Sequence, residues 1–233
     1  MQEIYVYLVF ISLPFLIGTL VIFVMRPDLR RYILKVGILG GIAGILSELW
    51  YLQDYWRPPM LLGTGHPSVE DFLFGFGVVA FTATLHKVIF RSSPPVRKAG
   101  ARRRGVILLI SALLALLILT SLIGINSIVT SYLTFAGIAI YVLIQKPSFI
   151  KRAFITSGIV ALIAFVTYSG IHLVAPTYFA DYFMLSSQPA GLIIFNLMPV
   201  TELIWFVLWG LAGTAVFDYI REGKQVDSLQ QHP

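Results

Sequence analysis

The sequence contains no cysteine, which excludes disulfides, thiolate metal sites and a catalytic thiol within it. It is also poor in charge, because Asp, Glu, Lys and Arg together make up only 12% of the residues. Soluble domains carry about 25%. Hydrophobic residues make up 58%, and the mean hydropathy is +0.85. A chain of 233 residues with this composition has room for about seven membrane spans of about 20 residues each, and for no sizeable soluble domain beside them.

Several chemical signatures are also missing. The sequence has no phosphate-binding glycine loop, no Gly-x-Ser-x-Gly motif and no dinucleotide fingerprint. His66 and His172 are single histidines without metal-site spacing, so we expect no bound metal and no cofactor. The predicted last helix contains no lysine, which excludes a retinal Schiff base there.

Apolar runs along the chain predict seven transmembrane helices. Their approximate bounds are 4–25, 33–52, 70–90, 106–124, 127–145, 153–174 and 199–220. Gly124 and Asn126 separate the fourth helix from the fifth, because both residues favour a turn and about 40 residues are too many for one crossing. The expected fold class is therefore an all-α integral membrane protein.

The basic residues are concentrated on one side of this bundle. All 17 Lys and Arg residues except Arg57 lie in or close to the connections that follow the first, third and fifth predicted helices, or close to the carboxyl terminus. By the positive-inside rule, the amino terminus is predicted outside and the carboxyl terminus in the cytoplasm, in a multi-pass protein of the cell membrane. Because topology explains the basic clusters, we do not interpret the net charge of +6 as nucleic-acid binding.

Three polar signatures recur in the same order in both halves of the chain. The pairs are Arg26-Pro27 with Lys146-Pro147, Tyr51-x-x-Asp54-Tyr55 with Tyr178-x-x-Asp181-Tyr182, and Pro67-x-x-Glu70 plus Phe74 with Pro199-x-x-Glu202 plus Phe206. The predicted helices one to three therefore repeat as helices five to seven, and the fourth helix makes the two repeats parallel in the membrane.

The repeat divides the chain into four predicted parts. Residues 1–92 form the first three-helix repeat, and residues 93–125 form a basic loop and the linking helix. Residues 126–222 form the second three-helix repeat, and residues 223–233 form a flexible cytoplasmic tail.

The acidic residues at the outer ends of the predicted helices are the candidate functional groups, namely Glu48, Glu70, Asp71 and Glu202. A carboxylate inside a membrane bundle costs several kcal/mol on insertion scales, so such residues are functional candidates by default. Pro67 and Pro199 suit helix starts, where the helix dipole stabilises an anion, so a purely structural role is the alternative.

Part of this pattern resembles a known family. Glu70-Asp71-Phe72-Leu73-Phe74 is similar to the Pro-x-Glu-(Glu/Asp)-x-x-Phe signature of the membrane-integral lycopene cyclases, which occur as two three-helix subunits or as one fused seven-helix chain. Glu202 and Phe206 resemble a degenerate second copy of it. Two features depart from the family: Pro67 lies three residues before Glu70 instead of two, and Leu203 replaces a second acid. The chain is therefore expected to be a divergent member.

The resemblance implies a redox-neutral cyclisation of the end group of a linear carotenoid, or of another isoprenoid lipid, dissolved in the membrane. It implies no cofactor, and it implies Glu70, Asp71 and Glu202 as the acid and base. The residues then expected to contact the substrate are Glu48, Trp56, Phe72, Phe74, Trp205, Phe206 and Trp209. Whether the protein forms a homo-oligomer is left open.

Three alternatives share the same helix pattern. Small seven-helix sugar transporters also have parallel three-helix repeats, but their Pro-Gln signature is missing here and the acids lie near one face. A protein that binds a carotenoid or lipid without chemistry is the second alternative. The third is a scaffold whose acids only tie helices together.

Overall fold

The computed structural model of the chain describes residues 3–63, 65–94, 101–184, 193–194 and 197–222. This part is nearly all helical, and its α-helices are α1 (Leu13–Met25), α2 (Arg30–Asp54), α3 (Val69–Ile89), α4 (Ala101–Leu117), α5 (Ser127–Gln145), α6 (Ile150–Val174), α7 (Tyr178–Tyr182) and α8 (Val200–Glu222). The predicted tail, 223–233, and residues 95–100 of the predicted basic loop lie outside the described residues.

Shorter elements extend or connect these helices. A 3₁₀ turn at Glu3–Tyr5 and a π-helical segment at Tyr7–Ser12 precede α1, and a second π-helical segment at Ile118–Leu122 continues α4. The two-residue strands β1 (Ile193–Ile194) and β2 (Met198–Pro199) pair antiparallel just before α8.

Seven helical segments of the described chain are long and apolar enough to cross a membrane. They are Glu3–Met25, Pro27–Asp54, Val69–Ile89, Arg103–Leu122, Ser127–Gln145, Pro147–Val174 and Val200–Arg221. The prediction of seven spans in an all-α chain is therefore confirmed, and the spans indicate a multi-pass membrane protein. Gly124, with a φ of 79°, forms the predicted break between the fourth and fifth spans, and the Asn126 side chain caps α5 by accepting from the Ile128 amide.

The corners that precede α2 and α6 have the same geometry. Arg26 (φ −127°, ψ 77°) and Lys146 (φ −136°, ψ 71°) are both extended, because each stands before a proline. Each corner continues through a three-residue 3₁₀ turn into a helix of 25 residues. Because the prolines fit the first turn, these spans begin at Pro27 and Pro147, about six residues earlier than the apolar runs suggested.

The two halves also pack in the same way. In the first half α3 packs against α1 and α2, and in the second half α8 packs against α5 and α6. The central helices α3 and α8 touch each other, whereas α4 packs on α5 and α8. The core of the bundle is therefore the interface between α3 and α8.

A buried ion pair joins these central helices near the basic end of the bundle. The Lys87 ammonium lies 2.6 Å from Asp218, and the two side chains are 1% and 4% exposed. The Tyr32 hydroxyl donates to the other Asp218 oxygen at 2.9 Å. Asp218 was not among the acids considered from sequence, and it shows that the acids of this chain are not confined to one side.

Glycines bring α2 and α3 into backbone contact. A Cβ atom added to Gly40 would stand 2.5 Å from the Gly75 carbonyl oxygen and 2.5 Å from Val79, and one added to Gly44 would stand 2.4 Å from the Asp71 carbonyl oxygen. No side chain fits at these distances, so the small residues allow the close helix packing that membrane bundles use.

We expect Gly40→Ala to lower the thermal unfolding midpoint in detergent. The added methyl group forces α2 away from the backbone of α3, and overpacking of this kind costs about 1–3 kcal/mol. Gly158→Ala is the matched control, because a Cβ atom there meets nothing within 4 Å and alanine is the better helix former. Equal midpoints for the two variants would contradict the proposed contact between the backbones.

Candidate functional site

A cavity of about 250 Å³ lies between α2, α3 and α8, opposite the Lys87–Asp218 end of the bundle. The amino-terminal segment, α4, α5 and α6 complete its walls. Of the described residues, three carboxylates line it, namely Glu48 on α2, Asp71 on α3 and Glu202 on α8. Each is buried, so each depends on hydrogen bonds from the protein for its stability there.

Asp71 is held by the start of α3 and by the amino-terminal segment. Its Oδ2 atom accepts from the Ser68 amide at 2.7 Å, in a capping box at the first turn of the helix. Its Oδ1 atom accepts from the Tyr7 hydroxyl at 2.9 Å. The structural role weighed from sequence is therefore present, and the same side chain also lines the cavity.

Glu202 is held by two phenols from different parts of the chain. Tyr168 of α6 donates to Oε2 at 2.6 Å, and Tyr55, which follows α2, donates to Oε1. Burial and the nearby Glu202 carboxylate raise the pKa of Tyr55, so its hydroxyl keeps its proton and acts as a donor. Both carboxylate oxygens of Glu202 are therefore engaged.

Glu48 has a single hydrogen bond among the described residues. The indole Nε1–H of Trp56 donates to its Oε2 atom at 3.0 Å. Trp56 lies directly after α2 and is itself in edge-on contact with the Tyr7 ring, at a centroid distance of 4.9 Å. The loop that follows α2 thus positions one of the cavity carboxylates through Trp56.

Glu70, the remaining acid of the predicted set, does not line the cavity. It is fully buried, and its carboxylate accepts from the Leu61 amide at 2.6 Å and from the Ser68 hydroxyl. These bonds tie the loop between α2 and α3 to the start of α3. Of the two adjacent acids, the helix turns Asp71 toward the cavity and Glu70 toward the loop.

Aromatic rings form much of the remaining cavity wall. Of the predicted substrate contacts, the aromatic residues that line the cavity are Trp56, Phe74, Trp205 and Trp209. Phe206 lies behind this wall, with its ring stacked on Phe15 at 5.5 Å. Phe72 instead lies where α3 packs against Gly41 of α2.

One side of the cavity reaches the outer surface of the bundle. Leu46 of α2 and Leu113 of α4 line the cavity and are 47% and 52% exposed. Both residues belong to segments that are long and apolar enough to cross a membrane, so an apolar side of the cavity lies at the outer surface of the bundle between α2 and α4.

The two matching loop signatures pair with each other beside the cavity. Trp56 and Phe183 form an antiparallel bridge, in which the Arg57 amide donates to Tyr182 and the Met184 amide donates to Tyr55, both at 2.8 Å. Asp54 of the first signature also anchors the neighbouring helix. Both carboxylate oxygens of Asp54 accept from Ser127, at 2.9 and 2.5 Å, and so hold the start of α5.

Sequence reasoning missed the hydroxyl donors Tyr7, Tyr55 and Tyr168. Tyr55 belongs to a repeated signature, which could have marked it. Tyr7 and Tyr168 stand on apolar helices with no motif around them, and only the packing of those helices brings them to a carboxylate.

The three carboxylates accept different numbers of hydrogen bonds, and all of them border an apolar, aromatic cavity from which bulk water is largely excluded. Such a site suits proton transfer to and from an apolar molecule. The described residues contain no group of three or more His, Cys, Asp or Glu side chains that could hold a metal ion. No protein-family model matches the chain, and neither curated proteins nor solved structures give a significant match.

We expect Tyr168→Phe to destabilise the protein by about 1–3 kcal/mol, because it removes a donor from a buried carboxylate. The same change in a Glu202→Leu background is expected to cost much less, because the acceptor is already gone. Unfolding in detergent, measured for both single variants and the double variant, gives the coupling.

Tyr5→Phe serves as the control for that cycle, since Tyr5 is 43% exposed and is not among the residues that line the cavity. It should leave the unfolding midpoint unchanged. Strictly additive effects of Tyr168→Phe and Glu202→Leu would contradict a hydrogen bond between the two side chains.

Proposed function

We propose that the protein is a membrane-embedded acid–base enzyme that cyclises the end group of a linear carotenoid or similar isoprenoid, as the membrane-integral lycopene cyclases do. One observation supports this most strongly. Carboxylates from three helices meet at a single aromatic cavity that reaches the outer surface of the bundle.

The reaction needs an acid, a base and aromatic faces. The acid adds a proton to the terminal carbon–carbon double bond and leaves a cation at the more substituted carbon. The electron pair of an internal double bond then forms the ring bond, and a base removes a proton to restore a double bond. Because the substrate keeps its atoms and its oxidation state, no cofactor is required.

The cavity wall suits the cations of such a reaction. Trp56, Phe74, Trp205 and Trp209 present aromatic rings, whose faces attract positive charge. Asp71 and Glu202, two of the three acids implied by the family resemblance, are within this wall, whereas Glu70 supports the neighbouring loop. The cavity volume of about 250 Å³ suits an end group better than a whole carotenoid, whose remainder would extend into the bilayer.

The architecture of that family, two parallel three-helix repeats joined by a linking helix, is also part of this proposal. The equal corners before α2 and α6 support it. So does the bridge between Trp56 and Phe183, because an antiparallel pair of equivalent residues is what a two-fold axis along the membrane normal would produce. We further propose a cell-membrane location with the basic end of the bundle in the cytoplasm.

Cysteine labelling tests this orientation, since the chain has no cysteine of its own. Leu62, which is 72% exposed in the loop between α2 and α3, is proposed to lie outside, and Ser148 in the corner before α6 is proposed to lie inside. A membrane-impermeant maleimide added to intact cells should label Leu62→Cys strongly. It should label Ser148→Cys only after the cells are opened, and the reverse result would invert the topology.

Expression in a bacterium that accumulates lycopene tests the activity. We expect monocyclic or bicyclic products by chromatography, and we expect Glu202→Gln to lower their yield by about 100-fold or more, because proton transfer by a positioned group contributes about 10²–10⁴-fold. Asp181→Asn is the matched control, since Asp181 is exposed at the same end of the bundle.

Other outcomes of that experiment point elsewhere. Full cyclisation by Glu70→Gln would remove Glu70 from the acid–base chemistry. Lycopene that co-purifies unchanged with wild-type protein would favour binding without chemistry. In that case the capping box alone would explain why residue 71 is an aspartate.

A further inference from the structure

The three cavity carboxylates differ in how many of their oxygens the protein uses. Asp71 accepts from a backbone amide on one oxygen and from Tyr7 on the other. Glu202 accepts from Tyr55 on one oxygen and from Tyr168 on the other. In Glu48 only Oε2 is used, by the Trp56 indole, and Oε1 has no hydrogen-bond partner among the described residues.

Glu48 is also deeply placed. It is 4% exposed, stands on α2 within a membrane span, and lines the cavity. A carboxylate oxygen in a cavity wall that accepts no hydrogen bond from the described residues is open to an occupant of the cavity. The free Oε1 is the carboxylate oxygen that an occupant of the cavity can reach without breaking a hydrogen bond of the protein.

A proton donor needs an oxygen that can carry hydrogen. On Asp71, a proton would weaken the hydrogen bond from the amide of the capping box or the one from the Tyr7 hydroxyl. On Glu202 a proton would weaken the hydrogen bonds from the two phenols, which favours the charged form that a base has before it takes a proton. On Glu48 it can sit on Oε1 at no such cost, while the Trp56 N–H still reaches the other oxygen.

Electrostatic repulsion among the three cavity carboxylates also favours the protonation of one of them. Like charges in one apolar space oppose each other, so a set of neighbouring carboxylates holds a proton on one of them. The hydrogen bonds to Asp71 and Glu202 favour their charged forms, since both oxygens of each side chain accept. The proton of the set therefore has its best position on Glu48.

We propose that Glu48 is the proton donor of the site and that Glu202 is its base, an assignment that rests on the proposed cyclase function. The O–H bond of Glu48 breaks as its proton forms a C–H bond with the terminal double bond of the substrate. The internal double bond supplies the electron pair of the ring bond, and the Glu202 carboxylate takes the proton lost from the ring. Water returns a proton from Glu202 to Glu48 between turnovers.

Trp56 is a positioning residue in this scheme. Its indole N–H fixes Oε2 of Glu48, which leaves Oε1 directed to the cavity occupant. The Trp56 ring lines the same space, so the residue that orients the acid also lies beside the cation that the acid creates.

Infrared spectroscopy of the purified protein in lipid tests the protonation independently of activity. Wild-type protein should show the C=O stretching band of a protonated carboxylic acid, with the usual shift in D₂O, and Glu48→Gln should lose this band. Glu3→Gln, which changes a glutamate outside the cavity lining, should keep it. A band that survives Glu48→Gln would overturn the assignment.

Activity in D₂O gives the second test. Wild-type protein should place one deuterium in each ring it forms, and Glu48→Gln should lower cyclisation by about 100-fold or more while lycopene still co-purifies. Glu48→Asp, which keeps the acid but shortens its reach, should lower the rate less and retain the deuterium label. Glu3→Gln should cyclise like wild type.

The two proposals fail in different ways. If wild-type protein cyclises and Glu48→Gln does so at a similar rate, the cyclase proposal stands and the assignment of Glu48 is wrong. If wild-type protein in the membrane forms no ring, both the cyclase proposal and the catalytic role of Glu48 are contradicted. Should Glu48→Gln fail to fold, an unchanged rate for Glu48→Asp would still count against the assignment.

Discussion

An unpaired polar group in an apolar environment costs free energy, and this cost determines which partners the buried acids of this bundle have. Three of the buried acids are bonded to a partner from a distant segment: Asp71 to Tyr7, Glu202 to Tyr168, and Asp218 to Lys87. Because these bonds cross between helices, they fix the position of each helix relative to its neighbours. The same bonds that make the acids tolerable in the membrane therefore also define the cavity, and a change at one of them alters packing and chemistry together.

The helices α2 and α6, which follow corners of the same geometry, bring different groups to one cavity. Glu48 and Tyr168 occupy the same position in α2 and α6, since each follows the first residue of its 25-residue helix by 18 positions. One unit thus supplies a carboxylate and the other a phenol that donates to Glu202. Divergence of this kind converts two equal units into an asymmetric site, and an acid-and-base reaction needs such asymmetry because its two proton transfers run in opposite directions.

Much of the fold could be predicted from sequence, because membrane spans are long and uniformly apolar and the polar loop signatures mark their ends. The break at Gly124 followed from local chemistry. The site was less predictable. Sequence could not decide which of Glu70 and Asp71 faces the cavity, since adjacent helical residues point about 100° apart and packing sets the rotation. Asp218 escaped notice because its partner Lys87 lies 131 positions away in the chain.

The helix-cap role of Asp71 and the chemistry proposed for the cavity are compatible. A capping box needs a charged or strongly accepting side chain at the third helical position, and Asp71 supplies it whether or not a substrate is present. Glu202 has no comparable structural reason to be an acid. A glutamine at this position could accept from Tyr168, while the Tyr55 hydroxyl donated to Thr201, which it already contacts. A carboxylate that accepts from two phenols is instead held in its charged form, which is the form that a base has before it takes a proton. Glu48 is then the carboxylate best placed to act as the proposed acid. Its Oε1 atom is bonded neither to a helix-capping amide nor to a phenol among the described residues.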